Sequence, residues 1–174
     1  MSSNPIRGFR KSSQPVRGFY MNNILFSTKL DKNNIILRNH LIKIMSKYKN
    51  LPQCNFLDIG CGNGRFAVLL SPFVKQYYGI DLDKEYISLA KKIKIPNVKF
   101  KVGKAEKIPF DKKFDIIFYS FSWHFVKDHN IALEELIRIS KKDSLIIILE
   151  PSLKPLNYRD PRLNINSKEF DKQR

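Results

Sequence analysis

At 174 residues, 43% hydrophobic and 12% aromatic, the chain is long and apolar enough to bury one domain's core, which excludes disorder throughout. Its two cysteines, Cys54 and Cys61, form no CxxC pair and no Cys/His cluster, so they support neither a disulfide framework nor a structural metal site, and a reducing, cytoplasmic setting is expected. The longest strand-like apolar run, LIIIL at 145–149, falls far short of the roughly 18 to 20 residues of a membrane span. The net charge is +16, and ten Lys and Arg face one acid in the first 50 residues; this suits an acidic substrate, a nucleic acid or an anionic surface, and equally a solvated lysine face.

Residues 1–30 hold no Asp or Glu and read as a basic, flexible arm. An organelle transit peptide is disfavoured there by Pro5, Gly8, Pro15 and Gly18, which interrupt any amphipathic helix. PIRGFR at 5–10 and PVRGFY at 15–20 echo each other, as an RNA-contacting arm, a substrate lid or incidental similarity in a loose terminus. A domain is predicted over 31–151, opening with an amphipathic helix from Asn33 to Asn50 whose apolar face is Leu37, Leu41, Ile44, Met45 and Tyr48. Strand and helix then alternate: strands at 54–59, 76–81, 98–103, 114–120 and 144–150, helices at 65–70, 83–94 and 131–140. Near-continuous Ile, Leu and Phe in the strands argues a parallel sheet covered on both faces, with right-handed crossovers.

The stretch DIGCGNGRF at 58–66 follows the first strand, where an open α/β sheet places its ligand. A dinucleotide fingerprint starting at Gly60 needs glycine at position 65, which is Arg65, and a P-loop lacks its Gly-Lys-Ser/Thr ending. The spacing is instead G-x-G-x-G with Asp58 ahead of it. Read alone, Asp81 at the end of the second strand is an ordinary turn or cap residue.

DIGCGNG at 58–64, GIDLD at 79–83, GKAEKIPF at 103–110 and FDIIFYSFSWHF at 114–125 together resemble the successive motifs of class I S-adenosylmethionine-dependent methyltransferases, in the type 11-like branch acting mostly on small molecules. The resemblance covers roughly residues 35–151 and implies a doubly wound, Rossmann-like α/β fold with strand order 3-2-1-4-5. It implies S-adenosylmethionine as cofactor. Asp58 would hold its cationic amino-acid end directly or through water, and Gly60, Cys61, Gly62 and Gly64 its methionine portion. Asp81 would accept the ribose hydroxyls, and Leu82 would pack on the adenine. Relatives commonly carry an acid where Lys104 stands, so the adenine edge falls to the backbone of Ala105 or to Glu106. Ser120, ending the fourth strand, completes the cofactor set. Trp123 and His124 face the methyl in this scheme, as substrate shaping and proton acceptor respectively, or else as a core indole and an ordinary histidine. No metal is required.

From Pro151 onward only 24 residues remain, polar and Pro-rich, too few for the helix and antiparallel strand pair with which relatives usually end. The chain is therefore expected to lack that pair and to be a fragment, or to have its fifth-strand edge covered by a second copy, a partner chain or the N-terminal arm. The expected function is methyl transfer to an O, N or C nucleophile of a small molecule. The alternatives are an RNA or tRNA methyltransferase using the basic arm, and an inactive cofactor-binding module.

Overall fold

The structure is a computed structural model that describes residues 31–150. The expectations for the basic arm and for the tail after Pro151 lie outside the described residues. The chain runs α1 (Lys32–Ser46), β1 (Asn55–Ile59), α2 (Arg65–Leu70), β2 (Gln76–Asp81), α3 (Lys84–Ala90), β3 (Val98–Val102), β4 (Phe114–Ser120), α4 (His129–Ile139) and β5 (Ser140–Leu149). The five strands form one sheet in the order β3-β2-β1-β4-β5, every pair parallel. This is the doubly wound α/β arrangement and strand order expected from the sequence.

Three helices start the same way: Asp31, Asp83 and Asp128 each sit in extended backbone and accept from amides of the first turn of α1, α3 and α4. α2 differs. It begins at Gly64, with φ +83 and no side-chain cap, because the chain arrives there from a tight turn. Asn34, fully buried in α1, accepts from Arg65 Nε and Nη2 at 3.1 and 2.7 Å, which ties α1 to the start of α2.

On one face of the sheet Phe56, Tyr77, Phe100, Ile116 and Phe118 pack with Leu41 and Met45 of α1, Phe66 and Leu70 of α2, and Ile87 and Ala90 of α3. On the other, Leu57, Ile59, Ile80, Ile117 and Tyr119 meet Ala132, Leu136 and Ile139 of α4. Between β3 and β4 there is no helix. Ala105, Ile108 and Phe110 of that connection fill the second core directly. Glu135 and Arg138 of α4 clamp it, Glu135 Oε2 accepting from Ile108 N at 2.7 Å and Arg138 donating to the carbonyls of Ile108 and Phe110.

Four expectations are corrected. Ile44 does not belong to the packing face of α1, being 48% exposed where the helix buries polar Asn34 against Arg65, and Tyr48, 67% exposed, lies past the helix end, which falls at Ser46 rather than Asn50. α3 ends at Ala90 rather than 94, short of a lysine-rich stretch leading to Pro96. β5 starts at Ser140 rather than 144, directly after α4, and its register against β4 steps from Phe114↔Ser140 to Ile116↔Leu145. The extra residues bulge out, held by Lys141 Nζ to Asp115 at 2.7 Å and by Ser144 Oγ donating to the Phe114 carbonyl at 2.6 Å. Nor is β5 covered on both faces: Leu145, Ile147 and Leu149 pack on the first core, while Ile146 and Ile148 are close to half exposed on the other side.

The first core encloses a charge-bearing pair. Asp58 is wholly buried; Tyr77 Oη donates to its Oδ2 at 2.5 Å, and its Oδ1 has no hydrogen-bond partner. Burial pushes the Asp58 carboxyl up to about 7, the Tyr77 hydrogen bond opposing and the Asp81 charge reinforcing the shift.

Between the unfolded value of 3.8 and about 7, the folded chain therefore holds a proton at Asp58 that the unfolded chain has released. That contribution to stability is full below the lower value and declines as pH rises through the window, by up to about 1.4 kcal/mol per pH unit for one proton. Asp58→Asn removes the titration, so denaturant melts at pH 4 to 7 are expected to show the variant gaining on the wild type as pH rises; a pH-independent difference contradicts the assignment. At Gly64 a Cβ would lie 2.9 Å from Ile93 Cδ1 and 3.0 Å from Phe100 Cζ, on backbone that L side chains resist. Gly64→Ala is expected to cost about 1 to 3 kcal/mol in urea unfolding, and a neutral result would mean that the turn is not packed as described.

Candidate functional site

The turn from Ile59 to Gly64 is pinned on three sides at the carboxyl ends of β1, β2 and β4. The amides of Gly60 and Cys61 both donate to the carbonyl of Ile80, at 2.8 and 2.9 Å. Gly62 N donates to Asp81 Oδ2 at 2.8 Å. From the β4 side Ser122 Oγ donates to the carbonyl of Ile59 at 2.6 Å, and a Cβ at Gly60, whose φ is +78, would fall 2.3 Å from the Ser122 Cβ. Only glycine allows that approach.

Above the turn lies a cavity of about 1120 Å³. One wall is the backbone of Gly60–Asn63; the others come from Asp81–Asp83 after β2, Gly103–Glu106 after β3, and the segment from Tyr119 to Lys127. Gly62 faces open space, with nothing within 4 Å of where its Cβ would be. Asp81 holds its turn through both oxygens, Oδ1 accepting from Asp83 N at 2.9 Å as Oδ2 accepts from Gly62 N. A carboxylate oxygen has two lone pairs, so each retains one for a ligand hydroxyl. Leu82, 67% exposed beside it, offers an apolar surface at the rim.

Of the residues singled out in the sequence, Gly60, Cys61, Gly62, Asp81, Leu82, Ala105, Glu106, Ser120 and His124 all line this one cavity. Three others do not. Asp58 lies beneath the turn in the first core, Gly64 is spent on packing against α3 and β3, and Trp123 turns its indole edge-on to Tyr119 and His129, with centroids at 5.0 and 4.9 Å. Cys61 is buried, and desolvation with the charges of Asp58 and Asp81 drives its thiol well above the ordinary range, so it is inert as a nucleophile.

Glu106 is partly committed elsewhere: Oε1 accepts from the amides of Lys127 and Asp128 at 3.0 and 3.4 Å. Burial pushes its carboxyl up, but hydrogen bonds from the amides of Glu106, Lys127 and Asp128 and the Lys104 charge outweigh that, and the net shift is downward. It stays ionised in the wall, which Lys104 also lines. Tyr119 contributes what the sequence reading missed. Its ring belongs to the second core, yet it lines the cavity, and its buried hydroxyl has no hydrogen-bond partner. Ser122 was equally unforeseen, since its role depends on β1 and β4 being neighbours. Phe121, between them, has φ +55, a strained conformation for a bulky residue.

Among the described residues no group of three His, Cys, Asp or Glu could hold a metal ion, and no helix is long and apolar enough to cross a membrane. The donor set is instead one for a polar organic ligand: bare amides and carbonyls, carboxylates with free lone pairs at Asp81 and Glu106, apolar faces and an unsatisfied hydroxyl.

Comparison with known proteins agrees with this geometry. An uncharacterized methyltransferase of Bacillus subtilis, YcgJ, is 36% identical over 99 residues, covering 54% of this chain and 39% of that protein. Its crystal structure matches with a TM-score of 0.57 at 31% identity, over 64% of this chain and 50% of that one. A demethylmenaquinone methyltransferase of Staphylococcus aureus is 31% identical over 140 residues, 72% of this chain and 57% of that protein. This chain thus spans 39% and 57% of the length of these two relatives. The crystal structure of an S-adenosylmethionine-dependent methyltransferase from Aquifex aeolicus has the same fold, with a TM-score of 0.65 over 86% of this chain and 82% of that one, at 23% identity. Residues 57–148, more than half of the 174, match the family described as "Methyltransferase domain". With its sheet order, its glycine turn and its carboxylate at the end of β2, the chain belongs to that family, within the class I S-adenosylmethionine-dependent methyltransferases.

Proposed function

We propose that this chain binds S-adenosylmethionine in the cavity and transfers its methyl group to an oxygen, nitrogen or carbon nucleophile of a small molecule. The observation that carries the reading is the Asp81 carboxylate, fastened to Gly62 N on one oxygen and Asp83 N on the other while still fronting the cavity. Both its free lone pairs suit a vicinal diol, and the bare backbone beside Gly62 suits an amino-acid tail. Leu82 offers a face to the adenine, and Glu106, the amide of Ala105 and the unpaired Tyr119 hydroxyl offer partners for its edge. Asp58, under the turn with an unpaired Oδ1, keeps a buried acceptor below the place where a cationic amino group would lie.

When bound, the cofactor supplies an electrophilic methyl on a sulfonium sulfur. What the protein adds is alignment and exclusion of water, and Phe121, Phe125 and Val126 provide apolar wall for both. A cavity of about 1120 Å³ has volume for a nucleoside and a compact acceptor together. The S. aureus relative, named for demethylmenaquinone, is consistent with a small acceptor. A second reading, RNA as acceptor, draws on the net charge of +16.

Calorimetry with S-adenosylmethionine and with S-adenosylhomocysteine tests the binding step. The wild type is expected to bind both, and Asp81→Asn to bind roughly 5- to 150-fold more weakly, corresponding to about 1 to 3 kcal/mol of lost charged hydrogen bonding. Circular dichroism of the variant guards against a collapsed turn, and unchanged affinity contradicts the ribose assignment. Transfer of labelled methyl groups to metabolite and RNA pools tests the acceptor. Label in the metabolite fraction, insensitive to salt, is expected; label in RNA that falls steeply with added salt overturns the small-molecule reading.

A further inference from the structure

A short 3₁₀ turn, Trp123–Phe125, follows β4 and carries His124 on the cavity wall. Behind it stands Glu150, one residue past the end of β5 and not itself part of that wall. The two oxygens of Glu150 hold this turn by two successive residues: Oε1 accepts from Trp123 N at 2.8 Å, and Oε2 lies 2.5 Å from His124 Nδ1. The β4–β5 ladder continues up to this point, with Phe121 N donating to the carbonyl of Leu149 at 2.7 Å, so the carboxylate is delivered by the sheet and not by a free side chain. A carboxylate–imidazole contact whose histidine is 47% exposed adds little to stability, which leaves the doubly fastened carboxylate unexplained by folding alone.

An ionised carboxylate only accepts hydrogen bonds, so the imidazole must present Nδ1–H to it, and its unprotonated nitrogen is then Nε2. We infer that Glu150 is a positioning residue that sets His124 in the Nδ1–H tautomer, leaving Nε2 to accept a proton from the methyl acceptor, which is therefore a protic nucleophile such as a hydroxyl or an amine. The inference rests on the methyl-transfer reading above. In the step it implies, a lone pair of the acceptor oxygen or nitrogen forms the bond to the methyl carbon, and the carbon–sulfur pair departs with sulfur, which becomes a neutral thioether. The acceptor's proton passes to Nε2, and the resulting imidazolium is neutralised by Glu150. No other reactant is needed. The apolar surface of Phe125, 75% exposed beside His124 with ring centroids 4.0 Å apart, gives the acceptor a non-polar seat next to its reacting atom.

The tautomer is directly measurable in the full chain labelled with ¹⁵N-histidine, because there are only three histidines, His40, His124 and His129. His124→Gln identifies the resonances. Long-range proton–nitrogen correlation spectra, recorded where the imidazole is neutral, are expected to show His124 as Nδ1–H in the wild type and shifted towards Nε2–H in Glu150→Gln. Carbethoxylation of His124 by diethyl pyrocarbonate, which needs a free ring nitrogen, is expected to be suppressed by saturating S-adenosylhomocysteine. A wild-type Nε2–H tautomer overturns the positioning role even if Glu150→Gln fails to fold. Carbethoxylation unaffected by S-adenosylhomocysteine that calorimetry shows to be bound overturns the proton-accepting role and leaves the cofactor reading standing. Absence of any S-adenosylhomocysteine binding overturns the cofactor reading and the proton transfer with it, whatever the tautomer.

Discussion

The crevice exists because one turn is held from both flanks through its backbone. Ile80 supplies a carbonyl to two consecutive amides of the turn, Asp81 an oxygen to the third, and Ser122 closes on Gly60 from the far side. Any Cβ at Gly60 would occupy the place of Ser122, and any at Gly64 would collide with Ile93 and Phe100. The cavity follows from packing in this sense: it is the space left over a turn too tightly seated to fill it.

The seat is not free of cost. A fully buried carboxylate with one unpaired oxygen, a core tyrosine whose hydroxyl finds no partner, and a phenylalanine at φ +55 all lie within the turn or against it. Each is the kind of local defect that costs of order 1 to 3 kcal/mol and persists only where surrounding structure over-determines it. Here that surrounding structure is two hydrophobic layers of aromatic-rich packing, including the stacked pair Phe56–Tyr77 at 5.1 Å directly against the Asp58 site. These defects are concentrated at the ends of the central strands, beside the cavity and above cores that are otherwise well filled.

Much of this was legible in the residues. Strict apolar runs located all five strands to within a few residues, and the glycine spacing with Asp81 located the crevice, because both signals are local and set by backbone geometry. What stayed hidden depended on neighbours distant in sequence. The outward turn of Ile44 accompanies the burial of Asn34 against Arg65, which apolar periodicity cannot reveal. The early start of β5 is a bulge of polar residues fastened to Asp115 and Phe114, so its composition reads as loop. Ser122, Tyr119 and Glu150 enter the site only because β4 lies between β1 and β5. Asp58 is the reverse case: its motif is plain in the sequence, but the alternation that makes β1 a strand places its side chain in the first core beneath the turn, which only the sheet reveals.

The central claim is that the surface between the glycine turn and Asp81 is a nucleoside site. A crystal structure of the full chain grown with S-adenosylhomocysteine tests it most directly. The account predicts both ribose hydroxyls on the Asp81 carboxylate, the amino-acid tail along Gly60–Gly62 and the adenine against Leu82. Density for the ligand elsewhere, or none at saturating concentration, contradicts it.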